Sequence, residues 1–273
     1  VDDISRIFTF GFDPFTPGGL LLLWLALFAI IAVRYFIVAG FFYAWFWVFR
    51  SEREAWRRIW PARPPARMLR TEIGWSVVTS GVFALSGVLL GMASVGGWLP
   101  VYLDPDRYGW WYLPFSLFLL MFLHDTYFYF THRAMHASSW AMRHMHAVHH
   151  YSVNPTPWAG FSFHPLEGLV QALIIPVLVL VVPTHPLVLL AFLVIMTVTG
   201  ITNHLGYEIW WRGFASNRVT RYWVNATHHA LHHKQYRCNY GLYFTFWDRW
   251  LGTEQAGYGE LYDQIQSRAP GAA

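Results

Sequence analysis

Five long apolar stretches restrict what this chain can fold into more than any other feature. Gly18 to Phe49 contains one charge, Arg34. As a single helix it would be about 48 Å long, more than a hydrocarbon core of roughly 30 Å requires, so it tilts or runs on into the interface. Arg34 reads as a residue that snorkels or faces the bundle. Ile73 to Val95 is a second span. Trp110 to Phe130 is a third, opening on an aromatic belt of Trp110, Trp111 and Tyr112. Pro165 to Pro183 and Pro186 to Thr202 form a hairpin about the turn PTHP, short enough either to cross a bilayer or to dip into it. The chain is 55% hydrophobic and 12% charged, against about 25% charged in a soluble domain. The expected fold is all-α: a polytopic transmembrane helical bundle of about four to five membrane segments. We read residues 1–273 as one integral-membrane domain.

Arginine sets the expected orientation. Arg50, Arg53, Arg57, Arg58, Arg63, Arg67 and Arg70 lie between the first two spans, which makes that loop cytoplasmic by the positive-inside rule. The loop between spans two and three holds one arginine and two aspartates, as an outside loop should. Residues 132–164, and everything from His204 onward, then fall on the cytoplasmic side. With so little polar surface, the net charge of +4 does not point to nucleic acid. The single cysteine, Cys238, excludes an internal disulfide and any CxxC site. Arginine-heavy usage, with Lys234 the only lysine, points to a GC-rich bacterial genome, and with the apolar spans the expected location is a bacterial inner membrane.

Eight histidines then stand out in three groups: His132 and His136; His146, His149 and His150; His229, His232 and His233. Spacings of three and four put side chains on one helix face, and neutral imidazole is a common ligand for iron, zinc and copper. Eight imidazoles are too many for one ion, so the pattern implies a pair of metals in a cytoplasmic histidine-rich cap. His204 lies at the right depth to complete the site, and His228 adjoins a ligand; both join the candidate ligand set. Asp125 falls close to the His132 face and Glu208 is one turn after His204; we take both as carboxylates that serve the ligands through their second nitrogen. His124 stands even between ligand and structural roles, His164 between a partner of the ligands and a hydrogen-bonder at a helix start, while His144 and His185 read as structural or exposed. Asn239, Tyr240, Trp247 and Asp248 are expected to brace the ligands by hydrogen bonds.

The site lacks thiolates, the HExxH of zinc peptidases and the Glu-x-x-His pairs of carboxylate-bridged di-iron bundles. Ligand type alone does not choose the metal. Iron can activate O₂, and a metal site at the mouth of a lipid-embedded bundle suits oxidation of a C–H bond. Metal transport and a zinc hydrolase are the readings from other classes; transporters tend to bind near the bilayer midplane, whereas these clusters lie at the span ends.

The segments HRAMH, HAVHH and HHALHH resemble the three histidine boxes of the fatty acid hydroxylase/sterol desaturase superfamily. The stretches PTPWAGFSFHPLEGLVQAL and ATHHALHHKQYRCNYGLYFTFWDRWLGT are similar to the sterol C-5 desaturases (lathosterol oxidases) within it. The likeness covers about residues 120–254. It implies two iron ions, O₂ as co-substrate, a lipid or sterol substrate taken from the bilayer, and electrons from a cytochrome b5-type or ferredoxin/reductase partner. It assigns the box histidines as ligands and supports His204. Some fatty acid hydroxylases have a second histidine four residues after that position; this chain has Glu208. Desaturation or hydroxylation of a sterol-type lipid is the favoured reading, with hydroxylation of a carotenoid, sphingolipid-like or ornithine-type lipid as the alternative.

Overall fold

The computed structural model describes residues 3–268 as helices joined by irregular loops. A short helix α1 (Asp3–Thr9) precedes α2 (Pro17–Tyr43), which continues as a π turn over Ala44–Phe49. Thr16 caps α2 by accepting the Gly19 N–H at 3.2 Å, with Pro17 in the first turn. α3 spans Ala66–Val95 and α4 spans Tyr112–Ala137. A broken helical stretch follows: α5 (Ser139–Ala141), a π turn (Met142–His146) and α6 (Ala147–His150). The hairpin is α7 (Pro165–Val181) and α8 (Pro186–Asn203), and the C-terminal region holds α9 (Ala226–Gln235), α10 (Phe246–Trp250) and α11 (Tyr258–Gln266).

Among the described residues four helical segments are long and apolar enough to cross a membrane: Pro17–Phe49, Ala66–Val95, Tyr112–Ala137 and Pro186–Asn203. The helix Pro165–Val181 is apolar but shorter; at about 1.5 Å per residue it still covers about 25 Å. The hairpin traverses the whole bundle. Its turn reaches the loop between α3 and α4, where Val101 bridges to Thr184 and the Thr184 N–H donates to the Pro100 carbonyl at 3.3 Å. His164 and His185 each begin one hairpin helix, Nδ1 accepting the N–H of Leu166 and Leu187 respectively. α3 starts seven residues before the apolar run because Arg67, Arg70 and Glu72 lie in its first turns and break the hydrophobic signal.

The core packs α4 against α7 and α8 through Leu120, Ile175, Val179 and Phe192. α2 lies against α3 and exposes most of its outer surface. The loop after α6 is pressed onto α8 at Gly160, where a Cβ would come within 3.1 Å of the Gly200 carbonyl; this close approach favours glycine. One end of the bundle carries the α3–α4 loop and the hairpin turn. The other gathers the end of α4, α5, α6, the start of α7, the end of α8 and α9, with every histidine group.

Candidate metal centre

At that end the imidazoles form two groups. His132, His136, His146, His150 and His232 make one; His149, His204, His229 and His233 make the other. In each, the candidate ligand atoms lie within 4.8 Å of one another. Helix geometry accounts for the division. In each HxxHH segment the first and last histidines are four residues apart and only about 40° apart around the helix, while the middle one lies about 100° from the last. His146 and His150 therefore enter the first group and His149 the second; His229 and His233 enter the second and His232 the first. The π turn Met142–His146 sets the orientation of this segment just before it is needed.

The contacts between rings do not read as hydrogen bonds. His150 Nε2 lies 3.0 Å from His146 Nε2, 3.1 Å from His136 Nε2 and 3.1 Å from His232 Nε2. One ring nitrogen has a single in-plane lone pair or proton and cannot serve three partners. Two nitrogens bound to one ion at roughly 2.1 Å and about 90° apart would be about 3.0 Å from each other. The second group has the same spacing: His204 Nε2 lies 3.2 Å from His149 Nε2 and 2.9 Å from His229 Nε2, and His233 Nε2 lies 3.1 Å from His229 Nε2. The donor sets fit two metal ions held by nitrogen.

The far side of several rings is held as a metal ligand requires. With Nε2 facing inward as a lone pair, Nδ1–H donates outward: His132 to the Tyr240 carbonyl at 2.9 Å, His232 to the Cys238 carbonyl at 2.7 Å, His204 to the Gly200 carbonyl at 2.5 Å, and His149 to the Ser162 carbonyl at 3.3 Å. His146 donates to a carboxylate, Glu167 Oε1, at 2.7 Å. Such partners fix the tautomer and raise ligand basicity. Burial, reinforced by neighbouring imidazoles, holds His146, His149, His150, His229, His232 and His233 well below the usual imidazole range. Burial brings His204 to about 4. The rings are therefore neutral at pH 7 and have lone pairs to give.

Three expected residues sit elsewhere. His228 belongs to neither group; it is fully buried, faces the Tyr258 ring at 5.1 Å, and neither ring nitrogen has a partner among the described residues. Its neighbour His229 points to the cluster, so a step of one residue along α9 turns His228 away. Asp125 touches no imidazole. Its Oδ1 accepts the backbone N–H groups of Leu242, Tyr243 and Phe244 at 3.0, 2.7 and 3.2 Å. Glu208 likewise binds backbone: Oε2 accepts the Thr227 N–H and hydroxyl at 3.1 and 2.7 Å, at the start of α9. Burial raises its pKa, against the hydrogen bonds from Thr227. Both acids position the third histidine segment and its tail and do not contact ligands.

Among the bracing residues, Asp248 accepts the N–H groups of Tyr240 and Gly241, both at 2.9 Å, and so fixes the carbonyl that holds His132. Asn239 ties the His228 carbonyl to the Gln255 N–H. Trp247 bonds instead to Thr126. Sequence reasoning missed Glu167; the signal was an acid in the first turn of an otherwise uncharged apolar helix. His124 lies apart from both groups, bonded to the Tyr243 hydroxyl at 2.9 Å.

A largely apolar, partly open cavity of about 170 Å³ runs between α2, α3, α4, α7 and α8. Its wall includes Phe128, Phe163 and Gly200. The Phe128 ring lies 5.0 Å from His132, the Phe163 ring 4.8 Å from His149, and the Gly200 carbonyl holds His204. The cavity thus ends against both histidine groups.

Comparison with known proteins adds the lineage. A Delta(7)-sterol 5(6)-desaturase of Gibberella zeae is 34% identical over 170 residues, 62% of this chain and 51% of the relative. The lathosterol oxidase of Rattus norvegicus is 32% identical over 181 residues, 65% and 58% of the two chains, and that of Homo sapiens 29% over 184 residues, 66% and 59%. The chain thus spans little more than half the length of these curated relatives. No solved structure matches it. The fatty acid hydroxylase family model matches residues 117–253, a segment that contains every clustered histidine together with Glu167, Tyr240 and Asp248, and the chain belongs to that family.

Proposed function

We propose that this protein is a membrane di-iron oxidoreductase that uses O₂ to desaturate or hydroxylate an unactivated C–H position of a sterol-type lipid. The convergence of nine buried or half-buried histidines on two points beside an apolar cavity carries the reading. Iron bound there would supply O₂ activation and abstraction of hydrogen from carbon. The protein's own part is placement and exclusion of water. Nδ1 hydrogen bonds aim the imidazoles, Phe128 and Phe163 separate the cavity from the ligands' outer faces, and the apolar walls hold a lipid within reach of the site. Binding geometry then decides between alkene and alcohol, since a shift of about an ångström changes which hydrogen is reachable. Hydrolysis by zinc would need a wet site, and the cavity lining is apolar.

In desaturation the substrate gives up two electrons and two protons while O₂ becomes two waters. The remaining two electrons must come from a donor, for which we propose a cytochrome b5-type or ferredoxin-type protein. We further propose that the histidine end faces the cytoplasm of a bacterial inner membrane. Seven arginines from Arg50 to Arg70 share that end, while the opposite loop carries Asp104, Asp106 and only Arg107. Mass spectrometry of lipids from a sterol-fed host with and without the gene tests the function. Loss of two hydrogens or gain of one oxygen supports it; an unchanged lipid profile with O₂ and an electron donor present contradicts it.

A further inference from the structure

The cavity wall holds two side chains with buried polar atoms that no described residue satisfies. Gln171 is 7% exposed, lines the cavity, and has neither amide atom hydrogen-bonded among the described residues. Arg34 lines the same cavity. Its Nε is buried without a partner, and no carboxylate of the described residues pairs with it. Buried polar groups in native proteins are almost always bonded, and an ionisable residue within a membrane span marks a functional site by default. The two are not at random depths. Gln171 is one helical turn beyond Glu167, the residue that holds His146. α2 runs toward the histidine end, and Arg34 is the last of its cavity residues after Leu27, Ile30 and Ile31. Arg34 also borders the lipid-facing groove formed by Ala29, Val33, Ile37 and Val38, so it stands where a lipid would pass from bilayer to cavity.

We infer that Gln171 and Arg34 together bind a hydroxyl group of the substrate, which enters as a lipid alcohol held with its oxygen toward the metal end. This rests on the lipid-oxidising function proposed above. The chemistry selects an alcohol. A primary amide presents a donor and an acceptor, and a hydroxyl engages both, leaving its second lone pair for the guanidinium. A carboxylate would satisfy Arg34 but face the Gln171 oxygen with a second acceptor. A pure hydrocarbon would leave all of these groups unpaired, and sites built to bond a hydroxyl discriminate strongly against analogues that lack it.

The test is equilibrium binding to the iron-loaded protein in lipid nanodiscs, without O₂ or electron donor so that no turnover intervenes. The probes are a Δ7-sterol, its 3-deoxy analogue and a long-chain carboxylic acid. We expect the wild type to bind the sterol at least about tenfold tighter than the deoxy analogue. Gln171→Met and Arg34→Met should each bring that ratio toward one, with deoxy-analogue affinity and metal content unchanged. If either variant loses metal, the other carries the comparison. A wild-type ratio near one, a ratio untouched in both variants, or tighter binding of the acid than of the sterol overturns the inference. Sterol oxidation by the wild type alongside any of those results leaves the proposed function standing; absence of O₂-dependent product from every lipid removes the function itself.

Discussion

His232 Nε2 lies 3.1 Å from His150 Nε2, although 82 residues separate them. His232 belongs to the third histidine segment but completes the group built by the first two. His149, from the second segment, completes the group built by the third and His204. This exchange ties the two groups together: neither HxxHH segment can be displaced without removing imidazoles from both.

Among the described residues Glu167 supplies the one carboxylate in contact with a clustered ring. Outer partners of this kind are worth about 10–100-fold in metal affinity. Glu167→Ala should lower affinity at the five-histidine group by that range, and Glu167→Gln, which keeps an acceptor, by less. Chelator competition followed by elemental analysis measures both; equal retention by Glu167→Ala and wild type would show that the hydrogen bond has no role.

Asp248 holds the loop whose carbonyl accepts from His132. Removing it leaves buried N–H groups unpaired, at about 1–3 kcal/mol. Asp248→Ala should therefore lower the unfolding temperature and weaken metal retention together, whereas Asp248→Asn, which keeps one acceptor, should do less. Calorimetry on the two variants in detergent checks the order; Asp248→Ala matching wild type would contradict it.

The pH response has a definite sign. Burial brings His204 and His228 to about 4, from 6.5 in an exposed chain. Below about pH 6.5 the unfolded chain takes up protons that the folded protein refuses, so stability falls as pH drops from about 6.5 toward 4 and is fully present above that window. The metal-free protein should show an unfolding temperature that declines steadily from pH 7 to pH 5. A flat or rising profile over that interval would contradict buried neutral imidazoles.

The proposed orientation predicts labelling. Asp106 and Ser216 are exposed at opposite ends, and the native Cys238 is buried. On intact cells a membrane-impermeant thiol reagent should label Asp106→Cys and spare Ser216→Cys. The reverse pattern would place the histidines outside.

Much of this architecture is legible in the sequence because membrane helices and imidazole spacing are both local signals. Gly18 to Phe49 read from hydropathy becomes Pro17–Phe49, and Pro186 to Thr202 becomes Pro186–Asn203. The HxxHH spacing already contains the split between four-apart pairs and lone middle rings. What is not legible depends on the path of the chain between elements. Asp125 shares a face of α4 with the His132 region, yet the loop 242–244 reaches its carboxylate first. Glu167 meets His146 only because the loop after α6 folds back onto the start of α7. His228 differs from a ligand by one helical step, which a cluster of adjacent histidines hides.

Metal content of the protein purified without added chelator tests the two-group assignment most directly. Wild type should hold two iron ions per chain, and the double variant His204→Ala, His233→Ala, which removes two of the four ligands of one group and none of the other, should hold one. Two ions in the double variant, or a single ion in wild type, would contradict the division into five and four.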